Sequence, residues 1–136
     1  MPRTIRDLKI WQKSMDLAVE SYRACASFPS DEKFGLISQI RRAATSVPAN
    51  IAEGFGRWNS REFSRFLAIA SGSLRELETH LQIAQRLGYL SEVRLKPLLA
   101  SIDEVARMIY AMLSKIRAKQ TVPTGKSAAQ RRISGP

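Results

Sequence analysis

Apolar residues recur at alternating steps of three and four in four separate segments of the chain, the spacing that gathers side chains on one face of an α-helix. Leu8, Trp11, Met15, Ala18, Tyr22 and Cys25 make the first stripe, and Ile37, Ile40, Ala44, Val47, Ile51 and Phe55 the second. The third consists of Phe63, Leu67, Ala70, Leu74, Leu77, Leu81 and Ala84; the fourth of Leu95, Leu98, Ile102, Val105, Ile109, Met112 and Ile116. No segment sustains the period-two alternation of a half-buried strand. The pattern therefore predicts an all-α fold.

The segment ends carry helix stop and start chemistry. FPSDEK places Pro29 after the first helix and Ser30 as N-cap of the second, with Asp31 and Glu32 in a first turn where the helix dipole favours acids. GFGRWNSREF ends the second helix near Gly54 or Gly56 and restarts at Asn59, with Glu62 completing a capping box. RLGYLSEV ends the third helix at Gly88 and caps the fourth with Ser91. Three short connections between long helices favour antiparallel neighbours, hence an antiparallel up-down-up-down four-helix bundle. Pro48 is expected to kink the second helix without breaking it, because the apolar stripe continues in register beyond it. Pro97 implies either a fourth helix that starts later than Ser91 or one whose first turns bend. The pattern stops near Arg117, which divides the chain into a bundle domain over 1–118 and a flexible, disordered basic tail over 119–136.

Composition bounds this picture. The 136 residues suffice for one core, and the apolar (44%) and charged (25%) fractions are those of an ordinary globular chain. A single cysteine, Cys25, excludes an intramolecular disulfide or a Cys-based zinc site and fits a reducing compartment. The N-terminus has no apolar signal region and no stretch approaches a membrane span, so a cytoplasmic location is expected.

Charge adds a partner class. Lys and Arg number 22 against 12 Asp and Glu, a formal net charge of +10 that points to polyanions. The tail carries four of these bases and no acid, leaving 18 bases and 12 acids, or +6, on the bundle.

Catalytic chemistry finds little support. A bundle-core di-metal site needs paired Glu-x-x-His motifs, whereas the lone His80 has Leu77 three residues before it. Cys25 ends an apolar stripe, where a thiol acts as a small hydrophobe, and GFGR follows a helix and not the strand that a phosphate loop requires. No enzyme, cofactor or metal is expected.

Arginine is the positive signal. Arg41, Arg42, Arg57, Arg61 and Arg65 stand against Glu53 and Glu62, with Trp58 among them at the turn. Guanidinium forks suit phosphate oxygens, an indole can stack on an unpaired base, and Arg61 and Arg65 share a helix face. The same residues also fit a solvated face of ion pairs, with Trp58 plugging the bundle end. Surplus apolar residues form a second signal: Ile10, Leu17, Leu36, Ala43, Phe66, Leu99, Met108 and Leu113 widen the stripes, and Gly72 in the Ser71-Gly72-Ser73 run costs about 1 kcal/mol relative to Ala in mid-helix. A broad core face and a self-association surface both fit.

DLKIWQKSMDLAVESYR, FGLISQIRRAATSVPANIAEGFGR and EFSRFLAIASGSLRELETHLQIAQRLGYL resemble the 23S rRNA intervening-sequence protein family, also called the four-helix bundle protein family. The resemblance covers about residues 7 to 116, with SVPANIAEG and GSLRELET its most specific parts. It implies a bacterial four-helix bundle, often encoded within inserts in large-subunit rRNA genes, with no established activity. That family is similar to the accessory variability protein of diversity-generating retroelements, a basic homopentameric bundle that associates with a reverse transcriptase and nucleic acid. The resemblance thus implies a pentamer whose surplus apolar stripes form the interface and whose arginines bind on an outer or pore-lining surface. Arg41, Arg42, Asn50 and Glu53 match the family pattern, although Asn50 and Glu53 equally fit a role in satisfying backbone groups freed by Pro48.

The expectation is a non-enzymatic homo-oligomer, a pentamer, that binds nucleic acid, RNA before DNA, through Arg41, Arg42, Arg57, Trp58, Arg61 and Arg65. The alternative is a protein-interaction scaffold or accessory subunit, for example of a reverse transcriptase, with no direct nucleic-acid role. Neither calls for a membrane or a small-molecule substrate.

Overall fold

The computed structural model describes residues 2–134, with side chains from 2 to 119. The disordered tail expected from residue 119 falls, after Lys119, outside the residues with described side chains. Four helices carry the fold: α1 (Lys9–Ala24), α2 (Leu36–Phe55), α3 (Ser60–Arg86) and α4 (Glu92–Ser134), with short 3-10 turns at Ile5–Asp7, Cys25–Ser27 and Ser30–Glu32. α1 packs on α2, α2 on α3, α3 on α4, and α4 back on α1, and the α2–α3 interface is the most extensive. Phe28 and Tyr89, from the first and third connections, meet with ring centroids 5.7 Å apart. At the opposite end Leu8, Phe63 and Met112 line one hollow. Successive helices therefore run up, down, up and down, as the short connections predict.

Three of the four apolar stripes form the core. Ile40, Val47, Ile51, Leu67, Leu74, Leu77, Leu81 and Ile102 are fully buried. Burial of each such side chain removes enough apolar surface to stabilise the fold by about 1.5–3 kcal/mol. The first stripe, that of α1, is displaced in part: its Leu8, Ala18 and Cys25 are buried, but its middle is not. On α1 the buried positions are Ile10, Ser14, Leu17, Ala18, Ser21 and Ala24, while Met15 and Tyr22, expected inside, are about 40% exposed. The true stripe keeps the steps of four and three but hides two serines in it. Ser14 Oγ donates to the Trp11 carbonyl at 2.8 Å and Ser21 Oγ to that of Leu17 at 2.8 Å, so neither hydroxyl is left unpaired in the core. Ile10 and Leu17 are thus core residues, and the surplus apolar face of α1 is Trp11, Met15, Val19 and Tyr22. Leu36, Ala43 and Phe66, read as surplus, are also buried.

The caps repeat this mixture. α2 begins at Leu36, not after Ser30, because Ser30–Glu32 closes a separate 3-10 turn and the Glu32 carboxylate accepts from the Leu36 N–H at 3.2 Å. α2 ends at Phe55 with Gly56 as its cap, and Asn59 Oδ1 accepts from the Glu62 N–H at 3.0 Å. Glu62 does not close the reciprocal half of a capping box; its carboxylate accepts from Arg65 instead. Gly88 takes φ +82 after α3, and the Tyr89 N–H to Ala84 carbonyl and Gly88 N–H to Gln85 carbonyl bonds complete a Schellman motif. Ser91 caps α4 through the Arg94 N–H at 3.2 Å, so α4 starts at Glu92 despite Pro97. α2 runs unbroken through Pro48, with the Asn50 amide donating to the Ser46 carbonyl at 2.8 Å and hydroxyl at 2.9 Å.

Two glycines differ in what their missing side chains allow. A Cβ on Gly54 would lie 2.7 Å from Phe66 Cβ and 3.0 Å from Phe63 Cδ1, so the bare backbone of α2 seats both rings of α3. Gly72 has nothing within 4 Å of that position and looks outward from α3. Gly54→Ala should therefore destabilise the protein by about 1–3 kcal/mol in urea unfolding, because overpacking outweighs the gain in helix propensity. An unchanged midpoint would show that the helices separate at no cost.

Candidate nucleic-acid interface

The α2–α3 turn must reverse the chain within four residues, and it does so with Trp58 in the left-handed region at φ 56, the only described non-glycine residue at positive φ. This conformation costs a bulky residue of the order of 1–2 kcal/mol. It holds the indole 80% exposed, with its ring 6.0 Å from that of Phe55.

Around the turn, the rings of α3 organise the cations. Phe66 is covered by two guanidinium groups, that of Arg65 at 4.4 Å and that of Arg57 at 5.5 Å from its centroid. Each is also paired: Arg57 with Glu53 at 2.6 Å, and Arg65 with Glu62 at 3.0 Å. Such exposed pairs add little stability, but they hold both guanidinium groups over the Phe66 ring. Arg61 has no ion pair among the described residues and is exposed on the same turn of α3. Glu62 is pulled below its ordinary carboxylate range chiefly by the hydrogen bonds from Arg65, opposed by partial desolvation and aided by the charges of Arg65, Arg57 and Arg61.

The structure brings together Arg57, Trp58, Arg61 and Arg65 but not Arg41 and Arg42. By the helical rise of 1.5 Å per residue, Arg41 and Arg42 sit about 20 Å further along α2. They also face different neighbours. Arg41 lies over the Tyr22 ring at 5.1 Å, on the α1 side, whereas Arg42 lines an open polar groove with Ser46, Ser73 and Glu76 on the α3 side. In that groove Ser46 Oγ and Ser73 Oγ share a 2.8 Å hydrogen bond. Asn50 serves the Ser46 carbonyl and not that of Ala44, and Glu53 serves Arg57, so neither repairs the bond that Pro48 removes.

Sequence reading missed Phe66 as the platform for Arg57 and Arg65. The signal lay in its place next to Arg65, read as surplus apolar surface. Nor did it find the aromatic wall of Phe55 and Phe63, whose rings lie 6.1 Å apart at 78°.

No group of three metal-ligating side chains occurs among the described residues, and burial pushes the Cys25 thiol above its ordinary range. No described helix is long and apolar enough to cross a membrane.

Against known families, the chain matches the 23S rRNA-intervening sequence proteins over residues 6–111. The chain belongs to this family. The matched span includes every residue of the α2–α3 turn and ends before Lys115. Among solved structures, the chain is similar to a protein of unknown function from the S23 ribosomal protein family of Bacteroides thetaiotaomicron, with 23% identity and a TM-score of 0.69. That likeness covers 76% of this chain and 97% of the other, and at such identity it is one of fold. No curated protein matches the chain significantly. For this member of the 23S rRNA-intervening sequence family, the turn is thus built from residues of the family region, with its charges held by aromatic rings.

A carboxylate with a depressed pKa stabilises the fold above its unfolded pKa and loses that contribution as pH falls through the folded value. Carboxyl-resolved NMR titration should place Glu62 below free glutamate, and Arg65→Ala should return it toward the ordinary range. A Glu62 that titrates normally in the wild type would show that the Arg65 pair does not persist in solution.

Proposed function

We propose that this chain is a non-enzymatic, homo-oligomeric bundle, assembled as a pentamer, that binds nucleic acid, RNA in the first instance, through phosphate contacts from its basic surface. The observation that carries the reading is the α2–α3 turn, where an indole 80% exposed stands among Arg57, Arg61 and Arg65. Two of these guanidinium groups already lie over one ring, so less order is lost when they meet phosphate. No groove-reading element accompanies them, so binding is weakly dependent on sequence and steeply dependent on salt. Arg41 and Arg42 form a second, separate basic locus on the same chain.

Self-association is supported by the displaced stripe of α1. Trp11, Met15, Val19 and Tyr22 lie beside Pro48, Ala49 and Ala52 of α2 along an open, almost wholly apolar groove of about 590 Å³. A five-fold ring needs head-to-tail contacts between two different surfaces. On α3, Ile69 and Ile83 are partly exposed, and Gly72 between them leaves room for a neighbouring backbone to approach as the second surface.

Gel-shift titration with RNA should show affinity falling by a factor of about 10³ or more between 50 and 200 mM salt if six or more phosphates are neutralised by the assembly. Combined Arg57→Ala, Arg61→Ala and Arg65→Ala should weaken binding at low salt. Absence of binding at low salt, or indifference to salt, would overturn the reading. Light scattering should give a pentameric mass that Val19→Glu reduces; a monomeric wild type removes the assembly and leaves the groove to a different protein, the scaffold alternative.

A further inference from the structure

We infer that the cleft at the Trp58 end of the bundle receives one unpaired nucleobase, so that the nucleic acid bound is single-stranded. The inference rests on the reading above and names its ligand class.

Two hollows adjoin at this end and share Pro2, Leu8, Ser60, Phe63 and Met112 in their walls. One, about 240 Å³, is mostly apolar and is lined by Phe55, Trp58 and Phe63, the last seated against the bare backbone of Gly54. The rings of Phe55 and Trp58 are tilted by 44°, and those of Phe55 and Phe63 by 78°, which leaves flat faces and edges available to a planar guest. The other, about 500 Å³, has mostly apolar walls edged by Lys9, Lys115 and Lys119. These three lysines are exposed and make no ion pair among the described residues. The one acid in that wall, Asp7, accepts a hydrogen bond from Thr4 Oγ1 at 3.1 Å.

Adjoining hollows, one walled by aromatic rings and one edged by lysines, suit a guest that is flat, apolar on its faces and anionic at its edge. An uncharged apolar ligand would leave the lysines without a role, and a simple anion would leave the rings without one. A nucleotide unit satisfies both. A paired base in a duplex keeps its faces stacked and cannot enter, whereas an unpaired base can stack on the rings without sequence readout. Arg57, Arg61 and Arg65 lie at the same turn as Trp58, so further cations stand beside the aromatic hollow.

The experiment uses the full-length chain, and the part of the emission lost in Trp58→Ala is assigned to Trp58, since Trp11 is the other indole. The probes are a single-stranded RNA 12-mer, the duplex of the same sequence, and a mononucleotide. The 12-mer should quench Trp58 emission and bind at least tenfold more tightly than the duplex. Trp58→Ala, read by anisotropy of labelled RNA, should weaken 12-mer binding about tenfold, and the double variant Lys9→Glu, Lys115→Glu should weaken it without altering the circular dichroism. Equal binding of duplex and single strand with no quenching overturns the cleft and leaves the phosphate-binding reading intact. Failure of both to bind overturns both. A mononucleotide that binds as tightly as the 12-mer assigns the cleft to a free nucleotide and overturns the single-strand assignment.

Discussion

Contact of α2 with α3 at Gly54 is the constraint on which the rest of the functional end depends. A backbone without a Cβ lets Phe63 and Phe66 press directly on α2. From that seat the two rings point to different tasks: Phe66 carries the guanidinium groups of Arg57 and Arg65, and Phe63 walls the hollow beneath Trp58. Separation of the helices by even a methyl group would shift the cationic face and the aromatic hollow together, because close-packed interiors transmit such displacements. The chain reversal at Trp58 is short for the same reason: helices this close need little chain to join them.

Periodicity revealed the helices and three of the four core faces, since Ile, Leu, Val and Ala fill those faces almost without exception. It misplaced α1 because apolar counting has no means of valuing a buried serine. Ser14 and Ser21 satisfy their hydroxyls on their own helix, so they act inside as small, self-contained side chains, and the larger Met15 and Tyr22 remain outside. The same limitation hid the start of α2. Ser30, Asp31 and Glu32 have the composition of a helix start, yet Glu32 acts at a distance, through its carboxylate, on Leu36.

At the candidate interface, residue type was readable and assembly was not. Arg57, Trp58, Arg61 and Arg65 are near neighbours in sequence and meet at one turn. Arg41 and Arg42 seemed part of the same run but belong to other faces of α2, because successive helical residues point about 100° apart. Phe55, Phe63, Lys9, Lys115 and Lys119 reach the cleft from all four helices, and only tertiary packing unites them. Their charge also differs in kind from that of Arg57 and Arg65, whose fields are partly neutralised by Glu53 and Glu62. Lys9, Lys115 and Lys119 make no such pair among the described residues.

The far end of the bundle carries a quieter device. Glu32 Oε1 accepts the Leu36 N–H and its Oε2 accepts the Tyr89 hydroxyl at 3.0 Å, so one side chain ties the start of α2 to the connection between α3 and α4. Covalently, the chain is two hairpins joined only at the Trp58 turn. Glu32 is the latch on their open side. With a joint at one end and a latch at the other, the two hairpins are tied at both ends of the bundle, as the two ends of a frame are.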